Sequence, residues 1–136
     1  MRFEINKKEN KIILKDSASG TSAEVFVFGA LLNKFSFVKN GEESNVINGF
    51  EDVADAEKNI TNGFKSAKLS PFVCRVKDGE YSFEDKNYTL HKFYLNKEAI
   101  HGLVYDALYE AKDFGASDEE AFVILEMCIR DRCLGG

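Results

Sequence analysis

The chain has 136 residues, with 18 Lys plus Arg against 23 Asp plus Glu, 44% hydrophobic residues and no Trp. That is room for one domain, or part of a larger one, with enough apolar mass for a core. A net charge of −5 without a basic block argues against nucleic acid and against an anionic membrane, since phosphate binding needs clustered positive charge.

Most of the chain reads as strands. Arg2-Phe3-Glu4-Ile5 alternates, and Lys11-Ile12-Ile13-Leu14-Lys15 is a short apolar run. Asp16 to Gly20 is a turn cluster. Ala23, Val25 and Val27 then alternate with Glu24, Phe26 and Phe28. Leu31-Leu32 and Phe35 to Val38 continue the pattern, and Asn40-Gly41 closes it as a hairpin turn. Dense Phe and Val of this kind suit a sheet buried on at least one side. Phe50 to Gly63 is polar with small alanines, and fits one helical turn or an ordered loop. Gly79 to Phe83 and Tyr88 to Leu90 read as a hairpin around Glu84 to Asn87. Between Ala99 and Phe114 the spacing of Leu103, Ala107, Leu108 and Ala111 suits a helix. Gly115 to Asp118 is a turn, and Ala121 to Leu125 is a β-type apolar run.

Residues 126–136 stand apart. They hold two of the three cysteines, Cys128 and Cys133, and neither periodicity continues into them. Met127 to Arg132 resembles the translation of a transposon-end sequencing adapter, ATG-TGT-ATA-AGA-GAC-AG. Glu126 and Arg132 fit the partial codons on either side. Residues 1–125 are therefore expected to be the native part, and 126–136 a foreign tail that packs poorly from Met127 on. Without the tail only Cys74 remains, so neither a disulfide framework nor metal-ligand spacing is expected. No run approaches the roughly 18 apolar residues that cross a bilayer, and the charged start lacks a signal-like stretch behind it. A cytoplasmic place is expected.

No phosphate loop, nucleophile elbow or paired-His zinc motif is present. Three features stand above background. Ser70-Pro71-Phe72-Val73-Cys74-Arg75-Val76 sets an arginine in apolar surroundings. Its fork of donors suits vicinal hydroxyls or a carboxylate, and a structural ion pair fits equally well. In Ile100-His101-Gly102 the histidine stands where backbone can approach closely and the ring can face a pocket. A turn or core histidine is the commoner alternative. His91, read as inside a hairpin strand with Lys92 beside it, is expected at the surface. The aromatic load, Phe26, Phe28, Phe35, Phe37, Phe50, Phe64 and Phe72, can offer platforms for sugar C–H faces, although core packing is its commoner use.

Taken in order, these segments resemble the aldose 1-epimerase (mutarotase) family. The pattern is Pro71-Phe72-x-x-Arg75-Val76, then Gly79-x-Tyr81-x-Phe83 with Tyr88-x-Leu90, then Asn96 and Ile100-His101-Gly102. The resemblance covers essentially all of residues 1–125. It implies an all-β fold, the N-terminal part of a large antiparallel β-sandwich (a galactose mutarotase-like supersandwich) left incomplete here. It implies interconversion of α and β anomers of a free aldohexose by acid–base ring opening and closure, without metal or other cofactor. It implies sugar binding by Arg75, His101, Cys74 and Asn96, where Cys74 replaces the family's usual Asn before the arginine. The family's general-acid His and general-base Glu would lie beyond Leu125, so this chain by itself is expected to be inactive. A non-catalytic carbohydrate-binding β-sandwich would keep Arg75 and His101 and lack that pair. A purely structural β domain would use Arg75 only in an ion pair. In the family reading Leu103 to Lys112 is extended or irregular despite its helical spacing, because tertiary context overrides propensity.

Overall fold

In the computed structural model, which describes residues 1–128, the alternating segments at the start of the chain are all strands. β1 (Phe3–Lys7), β2 (Lys11–Asp16), β3 (Ser22–Phe26), β4 (Leu31–Lys39) and β5 (Glu42–Asn45) pair in chain order, each antiparallel to the next. The register is set by the pattern: Ile5 faces Leu14, Leu14 faces Ala23, and Ala23 faces Phe35. Directly paired residues share a face, so one face of this sheet is apolar. A one-residue slip would turn that face to solvent.

The regularity breaks once, in the middle of β4. Glu24 pairs with Lys34 and Val25 with Leu32, which leaves Asn33 as the extra residue of a bulge. The bulge aims the buried Asn33 amide at the segment that follows β5. Its Oδ1 accepts from the Phe50 N–H at 2.7 Å, and its Nδ2 donates to the Phe50 carbonyl at 3.0 Å and to Glu24 at 3.1 Å. One side chain thus satisfies both main-chain groups of a buried phenylalanine.

The polar stretch after Phe50 folds as α1 (Val53–Asn59), a longer helix than the single turn the sequence suggests. Asp52 caps it by accepting from the Asp55 N–H at 2.8 Å. The small alanine Ala56 is fully buried, which lets the helix lie close to the aromatic core. That core consists of Phe26, Phe28, Leu31, Phe50, Ala56, Ile60 and Tyr105, with Val53, Phe64, Ala67 and Phe93 packed on it. It lies at the end of the sheet, where β3 turns into β4, and not along its face.

The second half of the chain makes shorter strands. β6 (Arg75–Val76), β9 (Tyr94–Leu95) and β10 (Glu98–Ile100) form a small antiparallel sheet in the order β6-β10-β9. The expected hairpin is β7 (Glu80–Phe83) with β8 (Lys86–Thr89). Its turn is Glu84 and Asp85 alone, with Lys86 and Asn87 already in β8, and both turn residues take positive φ, as a two-residue hairpin turn requires. Leu103 to Leu108 is irregular, and β11 (Tyr109–Ala116) pairs with β12 (Ala121–Met127). Helical spacing in Ala99 to Phe114 therefore gives no helix. The reason is tertiary: Tyr109 and Gly29 donate main-chain bonds to Val27 and Ala107, stitching this segment to the end of β3. The β11–β12 hairpin lies against β1 and β2, and Ala121 reaches the apolar face at Phe3, Leu14, Ala23 and Phe35. The result is an all-β, sandwich-like fold of antiparallel sheets.

Residues 126–128, set apart on the sequence, continue β12. Glu126 and Met127 pair with Glu110 and Tyr109, and the Cys128 N–H donates to the Leu108 carbonyl at 3.1 Å. Main-chain pairing thus runs past Leu125 into the segment expected to pack poorly, while the Cys128 side chain is exposed. A ladder uses main-chain groups, which every residue other than proline supplies in full. The rest of that segment, 129–136, lies outside the described residues.

Candidate functional site

The small sheet assembles the residues that the sequence singled out. Arg75 pairs with Ile100 and Val76 with Ala99, so β6 is held by two buried residues of β10. Arg75, Ile100 and Glu98 share a face by the period of two. The Arg75 Nη1 donates to Glu98 Oε2 at 2.5 Å. That hydrogen bond, with the attraction of the carboxylate, raises the pKa of the guanidinium above its ordinary value. The apolar neighbourhood expected for Arg75 is not what surrounds it. Its side chain is half exposed, and Val73 and Cys74 are exposed too. One of its five donors is engaged by Glu98, and the planar fork has others to offer.

Cys74 and His101 lock together just before β6 and just after β10. The His101 N–H donates to the Cys74 carbonyl at 2.9 Å, and the Cys74 N–H donates to His101 Nδ1 at 3.1 Å. Both residues take positive φ, 64° and 61°, outside the regular strand region. The left-handed turn at His101 swings its ring back over the Cys74 amide. Because Nδ1 accepts that bond, the proton of the neutral ring sits on Nε2, which is left as a donor.

Two neighbours support this lock. Gly102 follows at φ 80° and forms a parallel bridge with Ser70, whose carbonyl accepts from the Leu103 N–H at 2.7 Å. A Cβ at 102 would lie 2.2 Å from the Ser70 oxygen, so only glycine fits. Phe64 packs edge-on against the His101 ring with centroids 4.7 Å apart. The same Phe64 ring meets Phe93 at 5.5 Å and Tyr105 at 5.1 Å, linking the histidine to the aromatic core. Burial there pushes the Tyr105 phenol up to about 12, with a smaller contribution from Asp106.

Of the four residues proposed from the sequence, the fold brings Cys74, Arg75 and His101 to one end of β10. Asn96 lies at the other end, exposed in the turn between β9 and β10 at φ 59°. Asparagine tolerates that left-handed conformation better than most residues, which accounts for its place in the turn. His91 is exposed, as expected, but it follows β8 and is not inside a hairpin strand. Sequence reasoning missed Glu98, and it named Phe64 only among the aromatics that could form a sugar platform or fill the core. Glu98 was readable in principle, since strand alternation puts it on the Arg75 face once the pairing is known. The contact of Phe64 with His101 carried no signal, because it depends on a positive φ of 51° for a bulky residue.

Among the described residues no group of three or more His, Cys, Asp and Glu is placed to hold a metal ion, and no helix is long and apolar enough to cross a membrane. No curated protein matches the chain. The family model described as aldose 1-epimerase matches residues 10–132, from the loop before β2 to a point beyond β12. Its span includes the Cys74–His101 lock and both elements that carry it. With most of its length matched, the chain belongs to the aldose 1-epimerase family, isomerases that act on small sugars.

Proposed function

We propose that this chain forms the sugar-holding side of an enzyme that interconverts the α and β anomers of a free aldohexose. In that reaction a base takes the proton from the anomeric hydroxyl while an acid protonates the ring oxygen. The bond from C1 to the ring oxygen breaks, and the open-chain aldehyde forms. Rotation about C1–C2 and closure on the other face give the second anomer. Each proton removed is matched by one delivered, so positioned acid–base groups supply the chemistry.

The residues of this chain bind and orient. His101 donates from Nε2 and Arg75 from the nitrogens that Glu98 leaves open, two fixed donors for neighbouring hydroxyls. Cys74 contributes its main chain by holding His101 in one tautomer. Asn96 adds its amide from the β9–β10 turn. Neither the acid nor the base is assigned to a described residue. The observation that carries this reading is the reciprocal pair of bonds between Cys74 and His101 beside Arg75. It has the character of a preorganised donor, which lowers the entropic cost of holding a mobile polyol.

The test is a sugar titration followed by imidazole NMR. The chain has two histidines, so His91 serves as an internal reference for His101. Galactose or glucose should shift the His101 ring signals, leave those of His91 in place, and lose the effect in Arg75→Ala. Movement of neither ring, or equal movement of both, would defeat the assignment.

A further inference from the structure

We infer that Phe64 is a positioning residue for His101, setting the direction of its Nε2 donor from a strained bracket anchored on the first sheet. The inference rests on the sugar-holding role of His101 and extends it to a residue that touches no sugar.

Three observations meet at this ring. First, Phe64 is the aromatic residue in contact with His101, edge-on at 4.7 Å. The Cys74 N–H fixes one nitrogen of the imidazole. A single hydrogen bond to Nδ1 still allows the ring to tilt about that bond, and a second contact on the ring is needed to fix the plane. Second, Phe64 sits at φ 51°, where a bulky residue is a true outlier and the backbone is strained. Core packing alone does not call for that strain, since Phe26, Phe28 and Phe50 reach the same core without a positive φ. Third, the bracket is pinned on both sides of the strain. The Ser66 hydroxyl donates to the Leu32 carbonyl at 2.7 Å, and Lys68 Nζ donates to the Ala30 carbonyl at 2.7 Å. The Phe64 N–H donates to Ile60 at the end of the helix. The ring is therefore fixed relative to the first sheet and the helix. The histidine, which belongs to the other half of the fold, takes its orientation from it.

The experiment is imidazole nitrogen and proton NMR on the 136-residue chain. In the wild type the His101 nitrogens should report one tautomer, with the proton on Nε2, and the ring protons should be displaced from those of His91 by the Phe64 ring current. Phe64→Met fills much of the same volume without a ring. In it, the His101 ring should tilt on the one bond left to it, its Nδ1 shift should move from the wild-type value as the Cys74 bond weakens, and the ring-current displacement should vanish. Phe64→Tyr should restore both. Phe93→Leu perturbs the same aromatic cluster on its other side and should leave the His101 tautomer as in the wild type. A folded Phe64→Met with wild-type His101 nitrogen shifts overturns the inference. So does a wild type whose His101 ring protons match those of His91, an outcome that needs no variant to fold. Sugar titration separates this inference from the function it rests on. If galactose and glucose leave His101 of the wild type unmoved, the sugar-holding reading fails whatever Phe64 does. If they move it, and Phe64→Met binds several-fold more weakly while Phe64→Tyr does not, both hold.

Discussion

The first sheet and the region from Phe64 to His101 are built by different means. β1 to β5 are joined in chain order with long registers, and their strands obey one rule of alternation. The later region has strands of two to four residues, and its shape comes from backbone bends. Ten described residues other than glycine have positive φ. Two of them, Ala30 and Asn40, precede residue 60, and the other eight fall between Phe64 and His101. Left-handed conformations cost free energy in L-residues and persist where surrounding contacts hold them. The regular sheet is thus a scaffold, and the bent region is where strain points side chains at one another. Cys74, His101 and Phe64 are all bent residues, and all three meet at one imidazole.

Large substitutions should expose the contrast first. Phe26 is almost fully buried where the first sheet meets the aromatic core. Phe26→Ala is expected to cost about 3–5 kcal/mol by lost burial and residual cavity. Phe83→Ala, on the exposed hairpin of the later region, should stay within about 0.5 kcal/mol. Urea unfolding of both variants checks the pair. A Phe83→Ala loss as large as that of Phe26→Ala would show that the hairpin is part of the core.

Two glycines sharpen the comparison at the level of single atoms. Gly41 and Gly102 have nearly the same φ, 81° and 80°. A Cβ at 41 meets nothing within 4 Å, whereas one at 102 would strike the Ser70 carbonyl. Gly41→Ala should therefore cost about 1 kcal/mol of backbone strain alone. Gly102→Ala should cost roughly 2–3 kcal/mol by adding displacement of the Ser70 main chain, and it should also broaden or shift the His101 ring signals. Equal costs at the two sites would mean that the Ser70–Gly102 bridge yields easily.

The same division decides what the sequence could reveal. Alternation at Ile12, Leu14, Ala23, Val25 and Phe35 specified the first sheet, because burial on one face leaves a period that can be read residue by residue. The hairpin was legible for the same reason, but its register was not: the shorter turn pairs Phe83 with Lys86 and Tyr81 with Tyr88, whose rings stack 5.1 Å apart. The helix at Val53–Asn59 was half legible. Its cap is local, but its stability depends on Phe50 and Ile60 packing elsewhere. Leu103 to Lys112 shows the opposite case, in which a helical period is real but the main chain is claimed by Val27 and Gly29. In the site, residue types were legible and geometry was not. Arg75 and His101 could be named from their neighbours. The tautomer and the Phe64 contact depend on bends that no period encodes, and the Glu98 pair on a strand pairing that the sequence did not specify.

Acid should act through the scaffold before the site. Arg2 grips Asp16 with two hydrogen bonds, at 2.9 and 2.8 Å, and Ser19 and the Ala18 N–H add two more. These hold the Asp16 carboxyl far below the ordinary carboxylate range, with the Arg2 bonds as the largest cause. A carboxyl whose folded pKa is depressed adds stability above its unfolded pKa, near 3.9, and loses it as pH falls toward the folded value. Wild-type stability should therefore decline as pH drops below about 4. Asp16→Asn should be less stable near neutrality and show a shallower acid decline. Denaturation series at pH 7, 4 and 3 measure this, and parallel curves for the two proteins would remove Asp16 from the account.

The smallest expected effect is at Asn96, and it separates turn chemistry from sugar chemistry. At φ 59° asparagine is tolerated and glycine is at ease. Asn96→Gly relieves conformational strain but adds backbone entropy to the unfolded chain, and the two nearly offset each other. Stability should change by no more than about 0.5 kcal/mol, and the β9–β10 pairing should survive. The substitution removes the side-chain amide and nothing else near the sheet. If that amide meets a sugar hydroxyl, its loss is worth about 0.5–1.5 kcal/mol, a several-fold weaker affinity for galactose or glucose. Arg75→Ala should weaken binding more, since a charged donor is worth roughly twice a neutral one. Unchanged affinity in Asn96→Gly, with the fold intact, would assign Asn96 to the turn alone. The sugar contacts would then be confined to the Cys74–His101 end of the strand.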